Sequence, residues 1–229
     1  MKLSGGSATG ILGFNFSCLS CFSWTNGFLG CAENMQKLVI ASNNPGKLRE
    51  FQFLLQPLGI EVLTQAQLGI AEAEEPHVTF IENALAKARH VSRESGLPAL
   101  ADDSGICVTA LGGAPGVLSA RYAGEPKSDQ RNNEKLLREM QGVADRRAHY
   151  YCVLVLLHHA DDPQPLIAEG EWHGEIAHEE RGEGGFGYDP LFWLPSLNKM
   201  SAELSRDEKH AISHRGKALR VLLEKLKVA

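Results

Sequence analysis

The sequence predicts one mixed α/β fold, two-lobed, with loops at strand ends forming a cleft. Three observations predict it. A short apolar run at residues 37–41 leads into a turn cluster, a helical pattern and a second short strand at 60–63. A capped helical stretch from Thr79 leads into another strand at Ala99. The most apolar, β-rich run, 150–158, precedes an alternating run, 166–172, and the two predict a hairpin.

Each element has its own signal. Ser42-Asn43-Asn44-Pro45-Gly46 bounds the first strand, and Leu48, Phe51, Leu54 and Leu55 then recur at helical spacing. Pro57 and Gly59 stop that helix. Thr79 caps the next one, with Glu82 at the capping-box position, and Gly96 and Pro98 end it. Residues 99–101 read as a short strand running into a turn at Asp102-Asp103-Ser104-Gly105. Residues 106–111 are strand-like again, and 112–116 form a second turn cluster. Asp129 opens a helix to Met140. Asp161-Asp162-Pro163 joins the hairpin strands, and 182–187 is a glycine-rich loop. The last helix spans about 213–227, with Leu219, Leu222, Leu223 and Leu226 on one face.

Composition narrows the function. The chain has 229 residues, 43% of them hydrophobic and 22% charged, so it can bury a core. Its formal net charge is -5. A holder of long nucleic acid needs a basic face to neutralise phosphates, and nothing here argues for one. No run is long and apolar enough to cross a bilayer. The five cysteines, Cys18, Cys21, Cys31, Cys107 and Cys152, are odd in number and do not form a disulfide framework. A reducing, cytoplasmic setting is expected.

Residues 1–34 differ from the rest. They are rich in Gly, Ser and Phe and carry only Lys2 and Glu33 as charges. They read as an extension, disordered or non-native, ahead of a domain at 35–229. A zinc half-site at Cys18 and Cys21 lacks a second pair, and a lipoprotein-type Cys31 lacks an apolar core before it.

Four segments carry chemistry. Ser42-Asn43-Asn44-Pro45-Gly46-Lys47 sits between a strand and a helix N-terminus, where free amides and the helix dipole favour phosphate. Read without function, it is an Asn-capped turn with a solvated lysine. Asp102 and Asp103 are adjacent carboxylates. A turn can swing both toward one site, where one could bind a divalent cation while the other helps deprotonate water; read without function, they are a solvated turn. Glu72, Glu74 and Glu75 lie upstream and can complete that cation site. Gly184-Gly185-Phe186-Gly187-Tyr188-Asp189-Pro190 frees backbone around an aromatic ring able to stack on a base. Lys209-His210-Ala211-Ile212-Ser213-His214-Arg215 places His214 and Arg215 in the first turn of a helix that Ser213 caps. Cations there are unfavourable unless they face an anion or an electron-rich base edge.

These segments, with Thr79-Phe80-Ile81-Glu82-Asn83-Ala84, Leu111-Gly112-Gly113-Ala114-Pro115-Gly116 and Ser119-Ala120-Arg121-Tyr122, run in the order of a known pattern. The chain resembles the inosine triphosphate pyrophosphatase family, in its bacterial dITP/XTP branch, over nearly all of 35–229. The resemblance implies an elongated α/β protein, usually a homodimer, with a central cleft. It implies hydrolysis of dITP, ITP and XTP to the monophosphate and pyrophosphate, with Mg²⁺. Asp103 would be the general base and a metal ligand, with Glu75 a second ligand; the acidic pair itself adds Asp102 as a candidate third. Ser42, Asn43, Asn44, Pro45, Gly46 and Lys47 would hold the triphosphate. Ser104, Phe186, Gly187, Tyr188, Asp189, Lys209, His214 and Arg215 would hold the nucleoside. A non-catalytic nucleotide sensor and a phosphohydrolase releasing orthophosphate are the competing readings.

Overall fold

A computed structural model describes residues 35–55 and 59–228. The expected extension at 1–34, its three cysteines and the helix stop at Pro57 lie outside the described residues. A seven-stranded sheet organises the chain, in the order β2-β1-β3-β4-β5-β6-β7. The strands are β1 (Lys37–Ala41), β2 (Glu61–Thr64), β3 (Ala99–Val108), β4 (Arg147–Leu157), β5 (Leu166–Ile176), β6 (Phe192–Leu194) and β7 (Lys199–Met200). β1 runs parallel to β2 and β3, and the remaining pairs are antiparallel. The predicted hairpin is β4–β5.

Among the described residues five α-helices flank the sheet: α1 (Pro45–Leu55), α2 (Phe80–Ser95), α3 (Asp129–Glu139), α4 (Arg206–Ile212) and α5 (His214–Val228). The Thr79 hydroxyl accepts the Glu82 amide to start α2, and Gly96, at φ 67°, donates its amide to the Ser92 carbonyl to end it. Ser128 caps α3 in the same way. Ser205 and Glu208 form a reciprocal capping box on α4, a helix the sequence reading passed over.

One expectation is corrected. Asp102-Asp103-Ser104-Gly105 is no turn. It lies inside the ten-residue strand β3, and each of its residues pairs with β4, from Asp102 opposite Leu154 to Gly105 opposite Tyr151. The ladder to β4 outweighs the turn preference of Asp, Ser and Gly.

Among the described residues the core falls into three clusters. Leu38, Ile40, Leu100, Cys152 and Leu154 face α1 and α5 on one side of the sheet, around Phe51 and Leu222. Val39, Ala99, Ala101, Val153 and Val155 face α2 on the other. Ile106, Tyr150, Trp172 and Phe192 join Leu136 and Met140 at the far end of the long strands. Burying each large side chain contributes about 1.5–3 kcal/mol. The two ends of β3 and β4 thus belong to separate cores. Asp102, Asp103, Ser104, Gly105 and Tyr150 lie where those cores meet, and they line the cleft.

Candidate active site

The cleft has two connected ends that share Asn44, Lys47, Ser104 and Ala120. Its polar end is lined by Ser42, Asn43, Glu72, Glu75, Lys87, Asp102 and Asp103 among others. Its aromatic end is lined by Tyr150, Phe186, Tyr188, Asp189, Lys209, His214 and Arg215 among others. Segments up to 173 residues apart, Ser42 to Arg215, therefore meet in one place.

Neighbouring residues on a strand point to opposite faces, and this divides the acidic pair. Asp102 faces α1 and α5. Its Oδ2 accepts Arg215 Nε at 2.9 Å, and Lys47 Nζ pairs with its Oδ1. Ser104 Oγ donates to it at 3.1 Å, as does Cys152 Sγ. Burial pushes the Asp102 carboxyl up, but Arg215 and Lys47 outweigh that and hold it well below the usual range. Two cations and two hydrogen-bond donors thus engage the Asp102 carboxylate within the fold.

Asp103 faces α2. Its Oδ1 accepts Lys87 Nζ at 3.0 Å, and the same ammonium reaches Glu75 Oε1 at 2.6 Å. Arg121 Nη1 meets the other Glu75 oxygen at 3.1 Å. Asp103 Oδ2 is buried without a partner. Burial first, then the nearby Glu75, raise the Asp103 carboxyl, although Lys87 and Lys47 oppose them. Glu75 goes the other way. Burial raises it, but Lys87 and Arg121 outweigh burial and lower it.

Among the described residues no three His, Cys, Asp or Glu side chains form a ready metal cage. The pair Asp103–Glu75 still suits a divalent cation. Both offer hard oxygen donors, one oxygen is orphaned, and Lys87 already bridges them as a positive charge. Glu72 lines the same end but is exposed.

The phosphate loop differs from expectation. Its amides are mostly taken: Asn44 Oδ1 accepts from Gly46 and Lys47 at 2.9 and 3.2 Å, and Ser42 Oγ accepts from Asn44 at 3.2 Å. The Asn-capped turn is therefore present. What the loop offers an anion is side chains, chiefly Lys47 with Ser42 and Asn43 beside it.

At the aromatic end, Asp189 organises the loop. It accepts Phe186 N and Ser201 Oγ, each at 2.8 Å, and pairs with Lys209. Gly185 sits at φ 78°, and a Cβ there would run into the Asp189 carboxylate. Asp129 accepts the Gly187 amide at 2.7 Å and Asn133 donates to the Gly187 carbonyl at 3.2 Å, so α3 tethers the loop as well. The Phe186 ring lies beneath Lys209 Nζ, 4.8 Å from its centroid. Tyr188 is buried and donates to the Ser119 carbonyl at 2.8 Å, a framework role. Arg215 meets its anion within the fold: besides Asp102 it grips Glu50 and Ser104.

Sequence reasoning missed Lys87, Glu50, Asp129 and Asn133. Lys87 had a signal, since it falls on the face of α2 that also buries Asn83, Ala84 and Ala88. The others are ordinary polar residues until the fold brings them in.

A model of the Ham1 family matches residues 38–225. The chain belongs to the Ham1 family. A dITP/XTP pyrophosphatase of Ralstonia nicotianae is 66% identical over 197 residues, 85% of this chain and 98% of that one. A dITP/XTP pyrophosphatase of Nitrosomonas europaea is 67% identical over 192 residues, covering 84% and 95%. The solved Ham1 protein of Coxiella burnetii superposes with a TM-score of 0.81 at 48% identity, over 85% of this chain and all of that one. The family read from these segments is thus borne out, as is the mixed α/β fold.

Proposed function

We propose that this Ham1 protein hydrolyses non-standard purine nucleoside triphosphates, dITP, ITP and XTP, to the monophosphate and pyrophosphate. One observation carries the reading. A buried carboxylate with an orphaned oxygen, Asp103, stands at one end of a cleft whose other end is an aromatic pocket, with Lys47 between them. Relatives named dITP/XTP pyrophosphatase support the substrate class.

Asp103 and Glu75 would hold a divalent cation, magnesium, which neutralises phosphate charge when bound. Asp103 accepts a proton from the attacking water, and its raised proton affinity suits that task. A bond forms between the water oxygen and the α-phosphorus, while the bond from that phosphorus to the bridging oxygen of the β-phosphate breaks. Lys47, with Ser42 and Asn43, receives the departing pyrophosphate charge. Phe186 flanks the base, and Lys209, His214 and Arg215 surround its 6-keto edge. A site of donors leaves groups unpaired opposite adenine, at about 1–3 kcal/mol each. The enzyme is read as a cytoplasmic homodimer.

The test is a panel of nucleoside triphosphates assayed for pyrophosphate with and without Mg²⁺. Release from ITP, dITP and XTP well above ATP, only with the metal, is expected. Orthophosphate as product, or tight ITP binding without turnover, refutes the proposal.

A further inference from the structure

The loop around Phe186 is costly to order. Gly184, Gly185 and Gly187 crowd into it, and Gly185 and Gly187 take left-handed φ values of 78° and 63°. Glycine loses more backbone freedom on being fixed than any other residue, so such a loop needs partners. Asp189 supplies one from within: its side chain accepts the Phe186 amide at 2.8 Å, and its own amide donates to the Phe186 carbonyl at 3.3 Å.

The next residue is held from outside. Both polar backbone atoms of Gly187 are taken by α3, the amide by Asp129 at 2.7 Å and the carbonyl by Asn133 at 3.2 Å. These two side chains lie one helical turn apart, so they share a face and reach a single residue. Asn133 is 3% exposed. A buried amide is costly unless it is bonded, and this one is spent on the Gly187 carbonyl.

The helix is itself firmly seated. Ser128 caps it and Leu136 enters the far core. Asn132 accepts the Ala123 amide at 2.7 Å and donates to the Ser119 and Ala120 carbonyls at 3.3 and 3.1 Å. Tyr188 donates to the same Ser119 carbonyl. The helix, residues 119–123 and the loop are thus one hydrogen-bonded unit. Phe186 is pinned on both sides, with its ring against Gly46, where a Cβ would come within 3.0 Å of it.

The geometry points to Asp129 and Asn133 as positioning residues: α3 grips Gly187 so that the Phe186 ring stays set for the purine base. This rests on the substrate reading above and deepens it. Both residues act through the Gly187 backbone, so their loss weakens base binding and spares the hydrolytic step.

The experiment measures kcat and KM for ITP in wild type, Asp129→Ala, Asp129→Asn and Asn133→Leu. Inhibition by inorganic tripolyphosphate, which has phosphates and no base, is measured alongside. In Asp129→Ala and Asn133→Leu the KM is expected to rise by about tenfold, the scale of one hydrogen bond, with kcat changed by less than about twofold. Tripolyphosphate inhibits every variant as it does wild type. Asp129→Asn keeps an acceptor for the Gly187 amide and so keeps the wild-type KM. An unchanged KM in either Asp129→Ala or Asn133→Leu overturns the assignment. So does an equal weakening of tripolyphosphate, which marks general damage, or a KM in Asp129→Asn as high as in Asp129→Ala, which marks a charge effect. Asp129 is exposed at the start of α3, so its variants carry the test where Asn133→Leu fails to fold. Amide exchange at Gly187 is expected to be faster in Asp129→Ala than in wild type, and an equal rate overturns the assignment too. A wild type that releases no pyrophosphate from any purine triphosphate would instead sink the substrate reading itself, and this role with it.

Discussion

Arg215 and Asp102 face each other across the interior of the fold, Nε to Oδ2 at 2.9 Å, with side chains 4% and 0% exposed. Arg215 also binds Glu50 and Ser104, so one guanidinium ties α5 to α1 and β3. Removing one member of such a buried pair leaves the other charge uncompensated, which costs about 3–5 kcal/mol. Lys47 still pairs with Asp102, so Arg215→Ala belongs at the lower end of that range. Urea unfolding measures it. Arg215→Lys is expected to recover less than half of the loss, because an ammonium cannot span three separate acceptors.

Asp103→Asn keeps the shape of the side chain and removes the proton acceptor. Turnover of ITP is expected to fall by about 10²–10⁴-fold, while nucleotide binding survives. Pyrophosphate release at the wild-type rate would remove Asp103 from the chemistry.

Lys87→Met takes away the ammonium between Glu75 and Asp103 without emptying the space. The two carboxylates then repel directly, and Asp103 holds its proton more tightly. The expected result is a fall in kcat of at least about tenfold, with circular dichroism unchanged. A variant with full activity would make Lys87 a packing residue only.

Gly185→Ala places a methyl group against the Asp189 carboxylate, in a backbone conformation that disfavours it. Misplacing Asp189 loosens Phe186, Ser201 and Lys209 together. The KM for ITP is expected to rise by about tenfold or more, with kcat changed less. Steady-state kinetics separates the two.

His214 predicts a pH dependence of stability. Its folded-state proton affinity is depressed below the ordinary 6.5 by burial and by Arg215. The unfolded chain therefore binds this proton more readily. The stability His214 contributes is present above pH 6.5 and is lost as pH falls below it, by at most about 1.4 kcal/mol per pH unit. Melting curves from pH 8 to 5 are expected to show a shallower decline in His214→Gln than in wild type. Parallel declines would place the pH dependence elsewhere.

Much of this was legible in advance. Periodicity located β1, α1 and the β4–β5 hairpin, and the Thr79–Glu82 and Gly96 signals bounded α2. The capping box at Ser205 and Glu208 was equally plain, but it opens a helix of only seven residues. Asp102-Asp103-Ser104-Gly105 misled because local preference argues for a turn, while the pairing that makes it a strand comes from β4, some fifty residues away. The phosphate loop misled differently. Spacing shows where amides gather, but not that Asn44 has claimed them. Lys87 and Glu50 act through partners that only tertiary contact supplies.

The split of the acidic pair makes β3 a partition wall. Asp102 is tied to Arg215 and Lys47 on the α5 side, and Asp103, on the opposite face, meets Lys87 on the α2 side. Deleting or inserting one residue before Asp102 would turn each acid to the opposite face of the sheet, away from its present partners. In this strand, spacing is as strict a requirement as residue identity.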